Sequence, residues 1–364
     1  MSLKAGIIGM PNVGKSTLFN AITKKNILAA NYPFATIDPN LGIVVVPDKR
    51  LDILEKMYNP QRVIPSQYEF IDIAGLVKGA SSGEGLGNKF LSYIREVDAV
   101  IEVVRCFQDK DIIHVEGSID PVRDIEIINL ELAISDLEIV TNRLQKIEKK
   151  AITTNDKESL KEVELLKKCK NCLSSGIALR SVEFTEDEFK MISSFNFITL
   201  KPIIYLANID EIDLLENNNI YVNKLKEFIK KDPVILMCAK IESELVELND
   251  QEKQEFLKEL GIKESGLDQL INITYSMLGL KTFFTVGSDE VKAWTFKDGM
   301  KAPECAGIIH TDFEKGFIRA EVMSYNDLIE CGNEIKVKES GKARLEGKEY
   351  IMQDGDICHF RFNV

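Results

Sequence analysis

An eight-residue run near the start of the chain, Gly9-Met10-Pro11-Asn12-Val13-Gly14-Lys15-Ser16, has the spacing GxxxxGKS/T and the chemistry of a phosphate cradle. Its glycines let the backbone wrap so that N–H groups and the start of a helix point at phosphate oxygens. Lys15 then reaches the outer phosphates and the Ser16 hydroxyl ligates Mg2+. An apolar, β-rich run precedes the loop and the helix-compatible TLFNAIT run from Thr17 follows it, a context that a chance glycine turn lacks.

Two further motifs follow in the order that a phosphate-sensing switch requires. Thr36, in the stretch YPFATIDP, is the threonine expected to close over Mg2+ and the γ-phosphate; alone, a loop threonine is more often a solvated turn residue. Asp72-Ile73-Ala74-Gly75 has DxxG spacing, with Asp72 meeting the metal through water and the Gly75 N–H sensing the γ-phosphate.

Specificity for the base is expected at Asn208-Ile209-Asp210-Glu211, where guanine readers carry Asn-Lys-x-Asp. An Asp in the fourth position accepts both donors of guanine. Glu211 there, and Ile209 in place of Lys, relax or reverse that grip in favour of adenine. Cys238 and Ala239 fall where a small loop packs under the base. The bland alternative is an exposed polar turn after a buried strand.

Small GTPases orient the attacking water with a Gln directly after the DxxG glycine, but Leu76 stands in that position here and cannot hydrogen-bond water. Slow basal turnover is therefore expected, with Lys15 and Gly75 as catalytic groups. His114, in the loop DKDIIHVEG, is a candidate water-orienting residue through a neutral imidazole, although a loop histidine is commonly structural. Asn12 is a candidate for holding a monovalent cation, K+, against the phosphates, or it caps the loop.

These residues need a scaffold, and β-rich apolar runs at 3–8, 41–46, 68–73, 99–106, 202–207 and 234–239 supply one, mostly separated by helix-compatible stretches. This is the pattern of a doubly wound α/β sheet. The interval between the fourth and fifth runs is too long for one crossover helix and reads as an insertion. There Leu130, Ile134, Leu137, Val140, Leu144 and Ile147 step at three and four residues. A TTND break follows before Leu160, Val163, Leu166 and Leu173 resume the pattern, as in two antiparallel helices. Beyond Gly279 the texture becomes short alternating segments with Gly and Pro turns, the mark of a small α+β domain. The expected organisation is a nucleotide-binding domain at 1–128 and 197–279, a helical insertion at 129–196 and a C-terminal domain at 280–364.

Composition narrows the classes. No apolar run approaches the roughly 18–20 residues that cross a bilayer, and MSLKAGIIG leads into the glycine loop rather than a cleavage site. The seven cysteines form neither a disulfide framework nor paired zinc spacing, which fits a reducing cytoplasm; Cys169 and Cys172 read as helix-face residues. A net charge of −12 argues against a wholly basic nucleic-acid binder. Lysines gather along the insertion, including Lys149, Lys150, Lys157 and Lys161, where they suit phosphate contact or a solvated face.

The stretches GMPNVGKSTLFNA, NYPFATIDPN, DIAGLVKGASSGEGLGNKFL, NIDE and GIIHTDFEKGFIRAEV resemble those of the YchF or Obg-like ATPase family, within the TRAFAC class of P-loop NTPases, over essentially the whole chain. The resemblance implies a GTPase-like domain with a coiled-coil insertion and a C-terminal TGS domain of ubiquitin-like β-grasp type. It implies nucleotide binding by Asn12, Val13, Gly14, Lys15, Ser16 and Thr17, Mg2+ on Ser16 and Thr36, and ATP use through Asn208 and Glu211. It also implies a catalytic role for His114 on a flexible loop and association with the ribosome or its subunits. Ile209 departs slightly, since Val or Met is more familiar there.

The leading expectation is a cytoplasmic, monomeric ATPase switch that takes ATP with GTP weaker, and docks on the ribosome or RNA with no membrane role. Two other readings share the same residues: a GTPase of this class that uses both nucleotides, and a regulatory module that holds nucleotide with negligible turnover.

Overall fold

The computed structural model describes residues 3–29, 41–73, 86–216 and 218–363. Its strands, in chain order, are β1 (Lys4–Gly9), β2 (Leu41–Val45), β3 (Arg62–Ile64), β4 (Gln67–Asp72), β5 (Ala99–Arg105) and β6 (Ile203–Asn208). There follow β7 (Val234–Met237), β8 (Leu280–Thr285), β9 (Glu290–Lys297), β10 (Phe317–Ser324), β11 (Arg344–Glu346) and β12 (Asp356–Phe362). The chain divides into two compact units, Met1–Gly42 with Glu69–Gln269, and Ile43–Tyr68 with Leu270–Val364.

The first sheet runs β2-β4-β1-β5-β6-β7, and β1, β4, β5, β6 and β7 are parallel where they pair. Each expected apolar run becomes one of its strands. Every residue of β5 and of β6 is buried, which is what a parallel strand covered by helices on both faces requires. The chain switches direction across the sheet beside β1, so the loop after β1 lies at the carboxyl edge where such sheets bind ligands.

The insertion is a helical hairpin. Asp120 caps the helix Pro121–Thr154 by accepting the N–H of Arg123, and Pro121 supplies the first helical position. At 34 residues this helix is about 51 Å long. Asn155, in the left-handed region at φ 48°, ends it, and Asp156 caps the returning helix Lys157–Ser174. Val140, Leu144, Val163, Leu166 and Leu173 share one core, with Leu137, Ile147 and Leu160 packed against it. Leu130 and Ile134 stand exposed instead. Cys169 is buried in this core and Cys172 packs against it, so the CxxC spacing serves packing.

The second unit carries a sheet ordered β11-β10-β12-β8-β9-β3, with β12 and β8 parallel between the antiparallel pairs β10–β12 and β8–β9. Residues 43–68, which the linear reading assigns to the nucleotide domain, belong to this unit. Leu51 and Leu54, on the helix Lys49–Tyr58, bury among Phe284, Val291, Leu328 and Ile357, and β3 extends the sheet alongside β9. Arg50 fixes the segment further, donating to Asp354 at 2.7 Å and lying 5.2 Å over the Phe284 ring. Among the described residues no helix is long and apolar enough to cross a membrane.

Candidate functional site

The loop after β1 is held by a side chain from a distant motif. Asn208, at the end of β6, donates from Nδ2 to the carbonyl of Val13 at 2.9 Å, and its Oδ1 accepts the N–H of Ala239 at 3.0 Å. One buried amide thus joins the phosphate loop, the base motif and the loop after β7. Gly14 has φ 93°, and a Cβ there would lie 2.2 Å from Asn208 Nδ2, so only glycine fits. Asn12 also takes a left-handed backbone, φ 62°, and its Nδ2 donates to the carbonyl of Ile113 at 3.2 Å.

Lys15 opens the helix Lys15–Ala29. Its ammonium donates to the carbonyl of Ile73 at 2.7 Å and lies 3.4 Å from Asp72 Oδ1. That oxygen is buried and has no hydrogen-bond partner among the described residues. A buried carboxylate oxygen of this kind, near the helix start that carries Ser16, fits a hard cation with oxygen ligands, held mainly by waters and substrate phosphates. Thr36, Gly75 and Leu76 lie outside the described residues.

A cavity of about 1260 Å³ opens over the loop, lined by segments 10–12 and 14–17, 106–109 with 112, 208–213, 218–221 and 238–240. It is larger than the ~300–1,000 Å³ of ordinary small-molecule pockets. Glu211, at the start of the helix Glu211–Glu216, and Cys238 with Ala239 all stand on its wall. Burial pushes the Cys106 thiol up to about 12, with Asp124 and Asp213 adding to it, and burial raises the Cys238 thiol as well. Both wall cysteines are therefore neutral thiols rather than nucleophiles.

Several contacts that shape this wall carry no signal in a motif. Asp210 Oδ2 accepts the N–H of Gln108 at 3.2 Å, and Gln108 Nε2 donates to the Tyr221 hydroxyl at 2.8 Å. Asn219 donates to the carbonyl of Cys106 at 2.7 Å while its Oδ1 caps the helix Ile220–Phe228. The asparagine run before IYV is a legible cap signal, but its reach to Cys106 is not. Arg105, at the end of β5 and 1% exposed, donates to the carbonyls of Phe107, Asp109 and Ile112, and so shapes the whole loop that follows. An arginine closing a strand that is apolar but for Glu102 is the available clue.

His114 is not among the residues that line the cavity. Its Nδ1 accepts the N–H of Glu116 at 3.1 Å and its Nε2 pairs with Asp124 Oδ2 at 2.8 Å. Both ring nitrogens are engaged, so in this arrangement neither can orient a water.

Known proteins resemble this chain along its whole length. A family model described as a 50S ribosome-binding GTPase matches residues 4–143, and one for the C-terminal region of YchF GTPases, described as a protein of unknown function, matches residues 280–363. The curated "Ribosome-binding ATPase YchF" of Bacillus subtilis is 57% identical over the full length of both chains, and that of Haemophilus influenzae is 53% identical, again over both full lengths. The solved structure of the Schizosaccharomyces pombe YchF GTPase has 44% identity and a TM-score of 0.91, covering 99% of this chain and 98% of its own. A GTP-binding protein from Pyrococcus horikoshii, 22% identical with a TM-score of 0.61, covers 99% and 100% respectively and shares the fold.

Proposed function

The chain belongs to the YchF family, and from that premise we propose that it is a Mg2+-dependent ATPase acting as a nucleotide-driven switch on the ribosome or its subunits. The observation that supports this most is the Asn208 amide, which ties the phosphate loop to the base motif and so makes one continuous site from the two. Backbone groups of Asn12, Val13, Gly14, Lys15, Ser16 and Thr17 cradle the phosphates, and Lys15 turns from Asp72 and Ile73 toward the outer phosphate oxygens. Ser16, Thr36 and, through water, Asp72 would hold Mg2+, which would supply positive charge beside the phosphoryl group being transferred. The Gly75 N–H senses the γ-phosphate.

Glu211 and Asn208 select adenine over guanine, and Cys238 and Ala239 pack beneath the base, so ATP binds and GTP binds more weakly. With Leu76 after the DxxG glycine, basal turnover is slow. His114 orients the water only after leaving Asp124 and the Glu116 N–H. K+ is a second ion suited to this site, with the Asn12 amide oxygen as the atom that would ligate it, since the amide nitrogen already serves Ile113. The relatives' name supplies the ribosome as partner, and the insertion's lysines supply phosphate contacts. The protein works as a cytoplasmic monomer.

Calorimetry with ATP and GTP analogues and Mg2+, on wild type and Glu211→Asp, tests this reading. ATP preference that weakens in the variant supports it, and wild-type preference for GTP overturns it. One observation favours the nucleotide-holding module with negligible turnover, namely the fully engaged His114 ring. Steady-state phosphate release separates the two.

A further inference from the structure

The segment Ile113-His114-Val115 is inverted with respect to ordinary burial. Ile113 is 79% exposed and Val115 54%, while His114 between them is 7% exposed. The side chain turned inward is the polar one, so apolar burial opposes the arrangement and specific bonds must hold it. Because Glu116 donates its N–H to Nδ1, the ring proton is on Nε2, and it is given to Asp124 Oδ2 at 2.8 Å. Gly117, at φ 76°, closes the turn with its N–H on the His114 carbonyl at 3.0 Å. Asp124 is 2% exposed, sits in the first turn of the helix Pro121–Thr154, and accepts from Arg123 on its other oxygen at 3.0 Å. A second tie reaches the phosphate loop through Asn12 Nδ2 and the Ile113 carbonyl.

We infer that Asp124 is a positioning residue that stores His114 away from the cavity and thereby sets the rate of turnover. Phosphate entering the loop competes for the Asn12 amide and frees the Ile113 carbonyl. The segment then turns over about Gly117, burying Ile113 and Val115 and delivering the imidazole to the cavity. Apolar burial, which opposes the stored state, drives the released one. This inference rests on the reading of His114 as the group that places the attacking water.

The test uses the full-length protein as wild type, Asp124→Ala, His114→Ala and the double variant, with steady-state ATP hydrolysis and ring-nitrogen NMR; the chain has three histidines, so the signals are few. The expected result is a several-fold rise in kcat for Asp124→Ala at unchanged KM, abolished in the His114→Ala background. In wild type the His114 ring should show the Nε2–H tautomer without nucleotide and change on addition of a non-hydrolysable ATP analogue. A kcat that stays level or falls in folded Asp124→Ala protein, or a rise that persists without His114, overturns the latch. Should Asp124→Ala not fold, the wild-type ring signal decides, because a signal unmoved by the analogue overturns the latch by itself. Wild-type turnover in His114→Ala overturns both the catalytic reading of His114 and the claim that its storage sets the rate, whereas loss of turnover in His114→Ala with a level kcat in Asp124→Ala overturns the latch alone.

Discussion

Gly14 and Asn208, 194 positions apart in sequence, are in such close contact that a single added carbon on Gly14 would lie 2.2 Å from the Asn208 amide nitrogen. The phosphate loop and the base motif are thus parts of one packed object. Gly14→Ala is expected to lower ATP affinity at least about tenfold, or ~1.4 kcal/mol, and to lower the melting temperature, because the clash and the φ of 93° both oppose the native loop. Calorimetry and thermal unfolding check this, and wild-type affinity in the variant would show that the loop can yield.

Lys15→Ala is expected to abolish phosphate release while the fold persists. The substitution also leaves Asp72 Oδ1 without its nearby cation, so a stability loss of about 1–3 kcal/mol should accompany it. Circular dichroism beside a phosphate-release assay reads both, and turnover near the wild-type rate would remove Lys15 from the machinery.

Glu102 provides a pH dependence of known sign. It lies within β5, 1% exposed, and its Oε2 has no hydrogen-bond partner among the described residues. Burial pushes its pKa up to about 8 from 4.5, with Arg180 opposing and Asp124 adding. Over that interval the folded protein keeps a proton that the unfolded chain gives up. Its contribution is therefore complete below 4.5 and is lost as pH rises through about 8, at about 1.4 kcal/mol per pH unit. Urea unfolding at about pH 6 and about pH 9 should show wild type losing stability relative to Glu102→Gln. Parallel curves would mean that this proton resides elsewhere.

Leu54→Ala should destabilise the second unit by about 2–5 kcal/mol, since Leu54 is fully buried among residues of that unit. Hydrogen exchange is the sharper readout, with protection expected to fall in β8, β9 and β12. Loss confined to residues 43–68 would contradict the shared core.

The strands of the nucleotide sheet were legible because their signal is local: runs such as Ala99–Arg105 are apolar on every position but the buried glutamate and the terminal arginine. The phosphate loop was legible because its chemistry demands fixed types at fixed spacing. What escaped was non-local. Nothing near Leu51 announces Phe284 as its neighbour, and three residues at Arg62–Ile64 are too few to read as a strand. The stored state of His114 escaped for the same reason, since DKDIIHVEG reads as an exposed loop until Asp124 and the Glu116 N–H are in place. The C-terminal helices Ala302–Ile309, Thr311–Lys315, Tyr325–Cys331 and Glu334–Glu339 are each too short for periodicity to show.

The way residues 43–68 leave one compact unit to complete the other has a consequence for biosynthesis. That segment emerges from the ribosome early, yet the residues that Leu51 and Leu54 pack against, from Phe284 to Ile357, are made about 230–300 positions later. At roughly 5–20 residues per second it waits about 12–60 s with Leu51 and Leu54 uncovered. The C-terminal unit is therefore not a cassette that can be cut off or transplanted as residues 270–364 alone, and the nascent chain must shelter an apolar segment until its last strand is translated.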